Sequence, residues 1–223
     1  PSTIRANALK VGRDALAVRM ADRGPRPAPH TTHGLVLEKP GALWNTVVFE
    51  EGLFEAQDAG SQIIAELVAP PPGGKVLDAC AGAGGKTLAI AAVMGGKGRI
   101  VATDIAHERL ETLKERARRA GANNVQVVAH AVTQTFDRVL VDAPCTGSGT
   151  WRRNPEAKIH SQPDDLKRMA ELQLSIASAA VDRVEAGGRL IYATCSVFPE
   201  ENEAIVAALL EKFPVLERVR IAE

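Results

Sequence analysis

Five apolar runs of strand length alternate with stretches of helical periodicity, and this alternation constrains the fold more than any other feature of the chain. The runs cover residues 75–79, 98–103, 125–129, 137–141 and 188–194. Helices are expected over 57–68, 86–94, 106–120, 164–184 and 200–213. The third carries Leu110, Leu113 and Ala117 on one face, the spacing of an amphipathic helix. The fourth carries Leu166, Met169, Leu172 and Ile176, and Pro199 suits the first turn of the fifth. Strands separated by helices predict an α/β fold with a doubly wound, mostly parallel sheet. Such sheets bind ligands at the carboxyl edge of their strands.

Residues 1–50 break this rhythm and read as a small α+β appendage, with residues 51–223 as the main domain. Strands are expected at 4–9 and 34–37, a helix at 14–23, and a proline-rich loop at 24–29. His30 and His33 have a metal-like spacing, but no cysteine or acid stands near enough in sequence to complete a site, so no metal is expected.

With 45% hydrophobic residues the 223-residue chain can bury a core, and with only 4% aromatics aliphatic side chains must fill it. Basic and acidic residues balance at 27 each, so any nucleic-acid partner would have to be read from local charge. Three cysteines without framework spacing suit a reducing cytoplasm. No apolar run approaches the ~18 residues of a membrane span, and the opening residues lack a secretory pattern.

The first expected strand runs into Cys80-Ala81-Gly82-Ala83-Gly84-Gly85-Lys86. Glycines between a strand and a helix let a ligand approach the backbone and the free N–H groups of the helix start. Asp104 closes the next strand 22 residues after Gly82, which suits an acid binding ribose hydroxyls. Gly85-Lys86-Thr87 has the end of a phosphate-binding loop, but Cys80 occupies the position where that motif needs glycine. NAD fits less well than S-adenosylmethionine, because no room follows for a substrate domain. Lys86 either pairs with the donor's carboxylate or snorkels at the helix start.

The fourth strand delivers Asp142 and Cys145 into the small-residue loop 146–150, and the fifth ends at Cys195. Neighbouring strands would bring both thiols to one edge. A cysteine thiolate adding to C6 of a pyrimidine pushes electron density onto C5, which can then accept a methyl group. Asp142 would grip the base. The target must be single-stranded or flipped out, and Trp151, Arg152 and Arg153 offer an aromatic face and two cations. Arg116, Arg118 and Arg119 read as a solvated helix end.

These residues resemble the Sun-type RNA cytosine-C5 methyltransferases, and among them the bacterial enzymes that methylate small-subunit ribosomal RNA. The resemblance covers residues 49–213 and rests on Gln57-Asp58, on 78–87 (DACAGAGGKT), on 142–150 (DAPCTGSGT), on Ala193-Thr194-Cys195-Ser196 and on Glu201-Asn202-Glu203. Residues 5–10 resemble the opening of that family's small RNA-binding appendage. It implies a Rossmann-like methyltransferase fold, S-adenosylmethionine as cofactor and RNA as substrate. It further implies Cys195 as nucleophile, Cys145 as the group aiding product release, and Asp142 between donor and target. The donor would be held by residues 80–86, Asp104, His130 and Asp142. His130 stands where the family usually has an acid near the adenine, residues 130–137 are short for the family, and Gly82-Ala83-Gly84 replaces a more usual proline. The family fold leads one to expect further antiparallel strands beyond Glu223. The function expected is methylation of a cytosine C5 in ribosomal RNA by a cytoplasmic monomer. The alternatives are the same chemistry on tRNA, or a non-catalytic RNA-binding or ribosome-assembly protein.

Overall fold

A computed structural model describes residues 2–152, 155–160 and 162–221. The chain divides into two compact units between Ala131 and Val132.

The first unit opens with an antiparallel sheet. Its strands are β1 (Ser2–Ala6), β2 (Pro25–Pro27), β3 (Gly34–Leu37) and β4 (Phe54–Ala56), in the order β2-β3-β1-β4. Two short helices, α1 (Arg13–Arg19) and α2 (Val47–Glu50), interrupt the strands. Ile4, Leu16, Leu35, Leu37 and Phe54 are buried together and form its core. Two expectations change here. The 24–29 stretch contains a strand, because prolines are tolerated on a sheet edge where no N–H is needed. The small sheet also runs past residue 50, since β4 pairs with β1 through Arg5 and Glu55.

After α3 (Ala59–Leu67) come three parallel strands, β5 (Lys75–Asp78), β6 (Arg99–Ala102) and β7 (Val125–Val127). Helix α4 (Gly85–Val93) joins β5 to β6, and α5 (His107–Ala120) joins β6 to β7. Leu110 and Leu113 of α5 pack on Ala81 and Ala102. Gly84, at φ +86°, turns the chain into α4, and a Cβ there would lie 2.6 Å from Leu113 Cγ. Asn7 Nδ2 donates to the carbonyls of Gly52 and Ala120, at 2.8 Å each. That side chain ties β1 to the end of α5.

In the second unit β8 (Phe136–Asp142) runs parallel to β9 (Val184–Ala193), with Asp142 opposite Ala193. Val139, Leu140 and Val141 are wholly buried, as a parallel strand covered on both faces requires. Between the strands lie α6 (Pro155–His160) and α7 (Pro163–Val181), and α8 (Glu203–Lys212) follows β9. The buried stripe of α7 runs through Gln173, Ala177 and Ala180, while Leu172 is exposed. The expected Leu166–Met169–Leu172–Ile176 face is therefore rotated by one residue. The expected helix over 200–213 is also broken. Pro199–Glu201 form a 3-10 turn, Asn202 is non-helical, and α8 starts afterwards. Among the described residues no helix is long and apolar enough to cross a membrane.

Candidate active site

The chemistry-bearing residues of the first unit gather around the β5–α4 turn. The N–H of Ala81 bonds the carbonyl of Thr103 (3.0 Å), and that of Thr103 bonds Asp78 (2.9 Å). These bonds zip the ends of β5 and β6 together and carry Cys80 and Asp104 to the same edge. Asp104 Oδ2 accepts the N–H of Gly82 and Oδ1 that of Ala106, both at 2.8 Å. The acid is thus first an anchor for the glycine loop. Each oxygen keeps a second lone pair for a hydroxyl.

Asp78 is buried, and its Oδ2 accepts from Thr87 Oγ1 at 2.7 Å, pinning strand to helix. Gly82 sits at φ +52°, and a Cβ there would meet no heavy atom within 4 Å. Open space therefore lies before a backbone rich in N–H groups, at the start of α4 with Gly85 and Lys86. Residues Cys80, Ala81, Gly82, Ala83, Gly84, Gly85, Lys86 and Asp104 fit an adenosine-bearing donor. His130 is exposed beyond the end of β7.

The same unit overturns one reading of charge. Arg116 and Arg119 both pair with the buried carboxylate of Glu55, Arg116 at 2.8 Å, and do not form a solvated helix end. Arg116 Nη1 also donates to the Ala83 carbonyl at 2.6 Å, bracing the glycine loop from α5.

The second unit holds the thiols. The parallel register of β8 and β9 brings Cys145 and Cys195 together, with their sulfurs 3.2 Å apart and neither in a disulfide. The hydrogen bond to the Cys195 sulfur, then burial and negative charge on Cys195, raise the Cys145 thiol far above its ordinary value. Of the two, Cys195 is the exposed one. Asp142 ends β8 at the same edge, half-buried.

The small-residue loop after Cys145 has a local cause. Gly147 adopts φ +69°, and Gly149 donates its N–H to the Cys195 carbonyl at 2.9 Å. A Cβ at Gly149 would stand 2.8 Å from that same oxygen. Small residues let the two thiol loops touch. Ser148 Oγ meets Ser196 Oγ at 3.0 Å and accepts the N–H of Val197 at 2.9 Å. Trp151 packs edge-on against Phe198 at 5.9 Å, and Arg152 is exposed. Arg153 lies outside the described residues.

Sequence reasoning named Glu201 only within the Glu201-Asn202-Glu203 resemblance, with no role, and passed over Gln173. Glu201 is wholly buried and accepts the N–H of Thr146 (2.9 Å), the Thr146 hydroxyl and Gln173 Nε2 (2.8 Å). Burial pushes its carboxyl up, but hydrogen bonds from Ser196, Thr146 and Gln173 outweigh this and hold it below the ordinary range. Gln173 also donates to the Pro144 carbonyl at 2.9 Å. A polar residue within the buried stripe of a helix was the available signal. Asn202 Nδ2 bonds the carbonyls of Ser196 and Phe198, which accounts for the helix break.

A family model described as 16S rRNA methyltransferase RsmB/F matches residues 65–222. The chain is 34% identical over 223 residues to the ribosomal RNA small subunit methyltransferase B of Citrobacter koseri, covering 96% of this chain and 52% of that one. It is 35% identical over 228 residues to the probable ribosomal RNA small subunit methyltransferase B of Bacillus subtilis, covering 96% and 50%. The chain thus spans about half the length of these curated relatives. A solved methyltransferase homologue from Pyrococcus horikoshii superposes with a TM-score of 0.84 at 33% identity, over 96% of this chain and 70% of that one. The fold is therefore the Rossmann-like one of S-adenosylmethionine-dependent methyltransferases, as expected from the sequence. With most of its length matched by one family model, the chain belongs to the 16S rRNA methyltransferase RsmB/F family.

Proposed function

We propose that the chain transfers a methyl group from S-adenosylmethionine to C5 of a cytosine in ribosomal RNA, through a covalent adduct between Cys195 and C6. The observation that carries this reading is the thiol pair, 3.2 Å apart at the ends of adjacent parallel strands. A structural cysteine pair would have no need of an exposed partner.

S-adenosylmethionine, held in the first unit by residues 80–86, Asp104 and His130, would supply the electrophilic methyl and leave as S-adenosylhomocysteine. The Cys195 thiolate forms a bond to C6, and the ring's C5–C6 electrons move onto C5, which takes the methyl. Asp142 holds the N3/N4 edge of the base and stabilises it during addition. Transfer of the C5 proton to a solvent water returns the C–H electrons to the ring as the C5–C6 double bond and expels the Cys195 thiolate. Cys145, holding its proton beside the leaving sulfur, assists that release. The base must be unpaired or flipped to reach Cys195. Arg152 and Arg153 contact the RNA next to the site, and the small N-terminal sheet adds a second contact.

Ribosomal RNA is favoured over tRNA because the curated relatives carry ribosomal names over 96% of this chain. Two thiols this close survive as thiols in a reducing compartment, which favours the cytoplasm, where the chain acts as a monomer. The test uses labelled S-adenosylmethionine and total RNA from cells lacking the protein, followed by mapping of 5-methylcytosine. Label at one ribosomal cytosine supports the proposal, label in tRNA redirects it, and absence of label in every RNA overturns it.

A further inference from the structure

A cavity of about 610 Å³ opens in the first unit between the small sheet and α5, walled by Trp44, Phe49, Glu55, Arg116, Arg118 and Arg119. Its size falls within the ~300–1,000 Å³ of small-ligand sites. Glu55 brings one carboxylate against the two guanidinium groups of Arg116 and Arg119, whose side chains are only 20% and 22% exposed. One positive charge is left over in a partly desolvated wall, a situation relieved by an anion. Arg118 is exposed and forms no salt bridge among the described residues, and Glu115 is the second acid of the lining. The indole of Trp44 is 55% exposed. Phe49 holds it edge-on at 5.1 Å, and the Phe49 ring also receives the Arg119 guanidinium at 3.9 Å.

An open aromatic face beside surplus cations is the chemistry that binds single-stranded nucleic acid, with a base stacking on the ring and a phosphate on the cations. We propose that this groove holds one unpaired nucleotide of the RNA substrate, its base against Trp44 and its phosphate at Arg118 and Arg119. The assignment rests on the reading of RNA as substrate. It gives α5 a role in holding RNA.

The test is anisotropy of a short, labelled, unpaired oligouridine titrated with the intact chain. Trp44→Ala and Arg118→Glu are each expected to weaken binding about tenfold, while Trp44→Phe, which keeps a ring, retains most of it. Unchanged affinity in Trp44→Ala and Arg118→Glu overturns the proposal. If Trp44→Ala does not fold, the exposed Arg118→Glu still decides. Uridine monophosphate competing as well as the oligomer would mean a free-nucleotide site and overturns the RNA assignment. Methyl transfer is measured in parallel. Label transfer with unchanged variant binding leaves the methyltransferase reading standing without the groove. Trp44-dependent binding without any label transfer does the reverse.

Discussion

Glu201 and Thr146, 55 positions apart in sequence, are joined by two hydrogen bonds to one buried carboxylate. The bond partners place the carboxylate under the residue that follows Cys145, so a side chain remote in sequence sets where that thiol stands. Its ionised state is what the surrounding donors hold.

Glu201→Gln should therefore destabilise the fold by about 1–3 kcal/mol, since it leaves donors facing a neutral amide. The carboxyl is held below its ordinary value of 4.5. A lowered folded-state value contributes stability that is full above the unfolded value and is lost as pH falls through the folded one. Urea denaturation of both proteins should show a stability gap that is constant at neutral pH and shrinks as pH drops below about 4.5. A gap independent of acid pH would mean that the charge on Glu201 is not what the loop uses.

The two thiols should separate by function. Cys195→Ala is expected to abolish both methyl transfer and any covalent protein–RNA complex. Cys145→Ala should accumulate that complex, seen as a denaturant-resistant band on a gel. The opposite pattern would exchange the two roles.

Asp104→Asn keeps the size of the side chain but removes the charge that accepts the N–H groups of Gly82 and Ala106. Hydrogen bonds to a charged group contribute ~1.5–3 kcal/mol, so affinity for S-adenosylhomocysteine should fall about ten- to a hundredfold. Calorimetric titration measures it directly. Unchanged affinity would place the cofactor elsewhere.

Gly149→Ala inserts a methyl 2.8 Å from the Cys195 carbonyl oxygen. The obstacle is backbone, so the loop that carries Cys195 must shift. Overpacking of this kind costs ~1–3 kcal/mol, and turnover should fall by more than that loss of stability accounts for. The comparison is of kcat with the denaturation midpoint. A variant with normal kcat would show that the loop has slack.

Local pattern was enough for the elements that repeat it. The parallel strands at 75–78, 99–102 and 136–142 lie within or beside the runs expected for them, because a continuous apolar run between helices has few other places to go. Where the pattern was shared with a long-range contact, it misled. Leu172 was expected on the core face and is exposed, while Gln173, which the apolar pattern does not mark, is buried on Glu201. Arg116 and Arg119 read as solvated until β4 supplied Glu55.

From its residues alone, this chain determined a doubly wound α/β scaffold, a glycine loop followed by an acid, and two cysteines emitted at strand ends. Periodicity and turn chemistry are local, so they are legible in one dimension. Only the tertiary structure decided that the sulfurs lie 3.2 Å apart, that the contact with Cys195 and burial raise the Cys145 thiol, and that Glu201 holds the loop after Cys145. Each of these depends on strand register and on burial, which arise only when segments some 50 residues apart pack together.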